Sequence, residues 1–150
     1  MAAELRHVGF LLWPGSSPAV LMPALAVLRS FNRLAERECY KAVCLTLDET
    51  PIVTPEGLHW PANPLRELTE PLSSLWLVAD SDQLPTQLPS WLTPLLRQWL
   101  QDGVELGAIE AGVFPLAMTG LLDGCRCAVH WRMLDEFRER FPAVEATSQL

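Results

Sequence analysis

Hydrophobic and polar positions along the chain alternate between two rhythms. His7 to Trp13 is a short apolar run stopped by Pro14-Gly15, the pattern of a buried strand. Ser16-Ser17-Pro18 supplies a helix cap and a proline suited to the first turn, and Leu21, Leu25, Leu28, Phe31 and Leu34 then recur at helical spacing to about Arg37. Pro23 sits inside that pattern, which predicts a later start or kinked first turns. Tyr40 to Leu47 reads as a second strand, Pro51–Thr54 with Gly57–Trp60 as a small extended excursion, and the proline-rich 61–72 segment as loop with a short helical turn. Ser74 to Ala79 is a third strand. A helix over about 90–101 carries one apolar stripe including Trp91, Leu92, Leu95, Leu96 and Trp99, and Asp102-Gly103 ends it.

A strand from Val104 to Ile109 then meets a sharp turn, Glu110-Ala111-Gly112, and a helix from Val113. Cys125 to Val129 predicts a strand, Trp131 to Phe141 an amphipathic helix stopped by Pro142, and Val144 to Leu150 a last strand. Strands alternating with helices predict an α/β fold with a mostly parallel sheet covered on both faces. Trp76, Trp91 and Trp99 read as core.

At 150 residues the chain fits one domain, 1–150, and 49% hydrophobic against 19% charged residues predicts a packed core. A formal charge of -7 argues against this chain gripping nucleic acid by itself, since phosphate binding needs clustered Lys and Arg. No apolar run reaches the roughly eighteen residues of a membrane span, and the apolar run near the N-terminus is too short for a signal peptide. Cytoplasmic localisation is therefore expected. Cys39, Cys44, Cys125 and Cys127 read as reduced thiols, with Cys125 and Cys127 on one face of a strand. Two such ligands without a second pair are weak grounds for a metal, and no metal or cofactor is expected.

In many α/β enzymes the turn between such a strand and helix holds a reactive Ser or Cys. Here its apex is Glu110. A carboxylate is a weak nucleophile that needs a paired acid, and His130 without a nucleophile is not a dyad, so no catalytic residue is assigned. The turn instead places an acid at the C-terminal edge of a parallel sheet, where such folds bind ligands, and at a helix N-terminus that favours negative charge. The natural counterpart is a cation. Glu110, Ala111 and Gly112 at the turn, Trp13 as an aromatic wall and His130 nearby are the candidate ligand-binding residues. The competing readings are that Glu110 caps the helix through the Val113 or Phe114 N–H, that Trp13 is core, and that His130 packs beside Trp131. His59-Trp60 is a further candidate for meeting a partner subunit.

Residues 107–142 resemble the class I glutamine amidotransferase-like (ThiJ/PfpI superfamily) sensory domain of AraC-type transcription regulators. Gly107, Gly112 and Leu116-Ala117 match its elbow. Gly120-Leu121-Leu122-Asp123-Gly124, His130-Trp131 and Phe137-Arg138-Glu139-Arg140-Phe141-Pro142 match the segment C-terminal to that elbow. Gly9-Phe10, Leu28-Arg29, Asn32-Arg33-Leu34 and Gly57-Leu58 fit less specifically. The elbow acid is similar to that of the subgroup sensing arginine, carnitine or glycine betaine. Ala26 stands where the family commonly has an acid in the first helix. The resemblance implies a flavodoxin-like three-layer αβα sandwich, homodimerisation, a small amine or quaternary ammonium effector, no amidotransferase activity, and DNA binding only through a C-terminal helix-turn-helix domain. A family member would run some tens of residues beyond Gln149-Leu150 to finish the sheet, so truncation at its C-terminal edge is expected. An enzyme of the same superfamily using an unusual residue, and a scaffold that only dimerises, are the alternatives.

Overall fold

The computed structural model describes residues 4–82 and 84–149. Five strands form an all-parallel sheet: β1 (Arg6–Leu12), β2 (Tyr40–Thr46), β5 (Asn63–Pro64), β6 (Ser74–Ala79) and β7 (Glu105–Glu110), in the spatial order β5-β2-β1-β6-β7. β1 and β6 are neighbours although the chain leaves β1 toward β2, so the strand order reverses between them. Two short strands, β3 (Ile52–Val53) and β4 (His59–Trp60), pair antiparallel as the predicted excursion. Another two, β8 (Arg126–Ala128) and β9 (Glu145–Thr147), pair parallel in a separate small sheet. The Leu150 end of the predicted last strand lies outside the described residues.

Helix α1 (Pro18–Leu34) covers one face of the main sheet; α2 (Leu92–Gln101), α3 (Val113–Met118) and α4 (Leu134–Arg140) pack in the core on the other. This is the three-layer flavodoxin-like arrangement. Strand alternation explains the two cores. Val8, Phe10, Leu12 and Val78 face α1, while Leu11, Trp13, Leu75, Leu77 and Ala79 face the larger cluster with Leu92, Leu96, Phe114 and Phe137.

α1 starts at Pro18, with the Ser17 hydroxyl accepting from the Ala19 N–H at 3.3 Å. Pro23 lies in its second turn rather than before its start, correcting the later start. At the other end Asn32 ties α1 to β2: its Oδ1 accepts from the Cys39 and Tyr40 N–H groups at 2.9 and 3.0 Å, and its Nδ2 donates to the Tyr40 carbonyl at 2.7 Å. The predicted Trp131–Phe141 helix is split. His130 Nδ1 accepts from the Arg132 N–H at 3.2 Å and starts a 3-10 turn over Trp131–Met133, with α4 directly after it.

The residues that carried the family resemblance here mostly hold the fold together. Phe137 packs edge-to-face on Phe114 with centroids 5.1 Å apart, and Arg138 Nη2 donates to the Ala146 carbonyl at 2.9 Å, fixing α4 to β9. Gly120 and Gly124 take positive φ at the two ends of the turn before β8.

Candidate functional site

The elbow is built by one close approach. The Gly112 N–H donates to the Ile109 carbonyl at 2.9 Å, and the Ala111 N–H donates to the Ala79 carbonyl at 3.1 Å, pulling the turn onto β6. A Cβ on Gly112 would lie 1.9 Å from the Leu77 carbonyl oxygen, so only glycine fits there. The apex pays in backbone strain: Glu110 has φ +51°, a left-handed conformation unusual for a residue with a side chain. The geometry of a nucleophile's seat is thus kept, with a carboxylate upon it.

Glu110 is exposed, while Ala111 and Gly112 are buried beneath it. Helix α3 begins at Val113, with Gly112 at the cap position and no side-chain cap bond, so the reading of Glu110 as a helix cap is not met. α3 has only six residues, which limits any dipole at its start. Position, more than the helix field, sets this acid at the rim.

Glu110 and His130 line one crevice of about 600 Å³. It runs down the outer edge of β7, the last strand of the sheet, between that strand and β8. Leu106, Ala108, Leu116 and Val129 give it apolar walls, and Cys127 and Ser148 add polar atoms that sequence reasoning missed. The alternation of Cys127 on β8 with Val129 just after it was the available signal, but it carries no hint of which strand lies opposite. His130 is exposed, stacked on Trp131 with centroids 5.7 Å apart, and caps the 3-10 turn while lining the crevice.

Trp13 does not join them. It is 5% exposed and packs in the larger core, outside the crevice lining, so the aromatic wall expected of it is corrected to a core role. Its backbone still shapes the sheet edge: Ser16 Oγ donates to the Trp13 carbonyl at 2.6 Å and approaches that of Val78 at 3.2 Å, pinning the β1–α1 turn to β6.

A second crevice of about 620 Å³ opens at the C-terminal ends of β2 and β5, lined by Asp48, Glu49, Glu67, Arg66 and Trp91. The Arg66 guanidinium carbon lies 5.5 Å from the centroid of the Trp91 ring, a cation–π contact made within the chain. Asp48 accepts from the Thr50 N–H at 2.8 Å, and that bond holds its carboxyl below the usual range. Trp91, expected in the core, is half-buried and forms this platform.

Acids therefore stand at the ends of three strands: Asp48 and Glu49 after β2, Asp80 and Asp82 after β6, and Glu110 at the end of β7. Burial pushes the Cys127 thiol up, with the neighbouring Cys125 adding to the shift. Among the described residues no cluster of three or more His, Cys, Asp or Glu is placed to hold a metal, and no helix is long and apolar enough to cross a membrane.

Known proteins agree with this architecture. The chain is 41% identical over all its 150 residues to the HTH-type transcriptional regulator ArgR of Pseudomonas aeruginosa, and 34% identical over 145 residues to the HTH-type transcriptional regulator CdhR of the same species. Among solved structures, an AraC family transcriptional regulator from Pseudomonas putida matches 96% of this chain and 77% of its own, at 26% identity and a TM-score of 0.77. By these matches the chain is similar to AraC-type transcription regulators. The DJ-1 superfamily protein Atu0886 from Agrobacterium tumefaciens, at 17% identity and a TM-score of 0.72 over 96% of this chain, shares the fold. No protein-family model matches the chain. It spans 44% of the length of ArgR and 41% of that of CdhR.

Proposed function

We propose that this domain is the non-catalytic, cytoplasmic, effector-sensing part of a transcription regulator, and that Glu110 binds the ammonium or guanidinium group of a small nitrogenous metabolite. The observation that carries the reading is the strained elbow that holds an exposed carboxylate at the rim of the β7 crevice. An acid can neutralise a cation there, and it cannot supply the thiolate or activated hydroxyl that acyl transfer needs. The acids at the ends of β2, β6 and β7, in a chain of net charge -7, raise the local concentration of cations by long-range attraction. Leu106, Ala108 and Val129 would pack the alkyl part of such a ligand.

Effector binding acts on a homodimer in this reading, and DNA is read by a helix-turn-helix domain outside residues 1–150. The regulators named above support that division of labour. The test is a thermal-shift panel of arginine, carnitine, glycine betaine and choline against uncharged and anionic analogues. A rise in melting temperature with one cation and none with its neutral analogue is expected; turnover of amide or glyoxal substrates would favour the enzyme instead.

A further inference from the structure

Two polar side chains of different kinds line the β7 crevice from its two walls. Glu110 comes from the end of β7, and His130 follows β8 on the other side. An ionised carboxylate offers only acceptor oxygens. The hydrogen-bonding state of His130 is set by its own backbone. Its Nδ1 takes the Arg132 N–H at 3.2 Å, and a backbone N–H can only donate. Nδ1 therefore presents a lone pair, and the proton of the neutral ring sits on Nε2. Among the described residues Nε2 has no hydrogen-bond partner. The ring that lines the crevice has a donor left over.

Two contacts hold that donor in place. The imidazole stacks on Trp131 with centroids 5.7 Å apart and 28° between the planes, and the Nδ1 bond stops the ring from flipping. The Arg132 guanidinium carbon lies 5.2 Å from the centroid of the same Trp131 ring, which puts a positive charge on the His130 side. The β7 side carries the negative one. Among the described residues no ion pair joins Glu110 to His130, so the two walls do not satisfy each other across the gap. Leu106, Ala108 and Val129 supply the apolar surface of the same crevice.

We propose that His130 is the specificity-determining residue of this site: its Nε2–H receives the carboxylate of a ligand whose cationic nitrogen is held by Glu110. The ligand is then a small zwitterion, its two charges joined by an alkyl segment that lies on the apolar wall. A bare amine or quaternary ammonium meets only one of the two groups and leaves the imidazole donor to water. Hydrogen bonds to a charged acceptor are the stronger kind, so removal of the carboxylate is felt in affinity. A crevice of about 600 Å³ is large enough to enclose such a metabolite. This role rests on the cation reading of Glu110 and adds the other half of the recognition.

Calorimetric titration with two matched pairs, arginine with agmatine and glycine betaine with choline, tests it; the second member of each pair lacks the carboxylate. The variant is His130→Asn, whose side chain keeps an oxygen for the Arg132 N–H and loses the donor on the far side of the ring. In the unsubstituted chain one zwitterion should bind at least tenfold more tightly than its partner. In His130→Asn that preference should vanish, with the affinity of the carboxylate-free partner unchanged. A carboxylate-free member that binds as tightly as its zwitterion, or a preference that survives in His130→Asn, overturns the role of His130 and leaves the cation reading of Glu110 standing. Failure of all four compounds to bind overturns both. Long-range proton–nitrogen NMR of the imidazole in the unliganded chain, at about pH 8, is independent of the variant's folding. It should find the proton on Nε2 and a bare Nδ1. The opposite tautomer overturns the proposal.

Discussion

A methyl group added to Gly112 would sit 1.9 Å from the Leu77 carbonyl oxygen, so the elbow and strand β6 meet backbone to backbone. That contact fixes the height of Glu110 above the sheet. Gly112→Ala forces the turn or β6 to move, and it should destabilise the fold by about 3 kcal/mol or more in urea denaturation. Gly124→Ala, at positive φ in open space, should cost only about 1 kcal/mol. Equal losses for the two would show that crowding at the elbow is not what matters.

Strain at Glu110 predicts a conflict between stability and binding. With φ at +51°, Glu110→Gly should stabilise the domain by about 1 kcal/mol in the same assay while removing response to a cation. A loss of stability would mean the side chain makes contacts that outweigh the strain.

The aromatic pair Phe114–Phe137 joins α3 to α4 with both rings fully buried. Phe137→Ala should cost about 3–5 kcal/mol. It should also loosen the β8–β9 unit selectively, seen as faster hydrogen exchange at Cys127–Val129 than in β1. Uniform acceleration across both would contradict the separate role given to α4.

Thiol chemistry gives a pH prediction. Cys44 and Cys127 are both pushed up, burial being the main cause, and Cys44 is partly offset by its hydrogen bond with Trp60. Folded thiols thus keep their protons to higher pH than unfolded ones, whose ordinary value is 9.0. Above that value the folded state binds more protons, so stability is complete below it and falls as pH rises through the folded values. Cys44→Ala with Cys127→Ala should flatten the alkaline limb of the melting-temperature profile. At neutral pH, mass spectrometry after brief alkylation should find exposed Cys125 labelled before Cys127 and buried Cys39.

Much of this fold was legible because local rules and burial agree. β1 is an apolar run closed by Pro14-Gly15, and α2 is a stripe closed by Asp102-Gly103; each appears within two residues of its expected place. The elbow was legible from Glu110-Ala111-Gly112 because a strand, a small-residue turn and an apolar helix admit few other geometries. α3 was harder to bound, since Val113 to Ala117 are all buried and so show no helical period. That β8 and β9 pair with each other, away from the main sheet, depends on contacts such as Arg138 to the Ala146 carbonyl, which no strand pattern encodes. Trp76, expected in the core, is 37% exposed, and Trp13, expected at the ligand crevice, lies in the core, for a related reason. Alternation says which face of a strand a side chain takes, and not whether a helix covers that face.

Recognition of a cation by the carboxylate at the elbow is the central claim. Isothermal titration of the domain and of Glu110→Gln, which keeps size and removes charge, tests it with whichever of arginine, carnitine, glycine betaine or choline raises the melting temperature. Affinity should fall at least tenfold in the variant, with weaker salt dependence, while folding is unchanged. Equal affinity in both proteins would contradict the account.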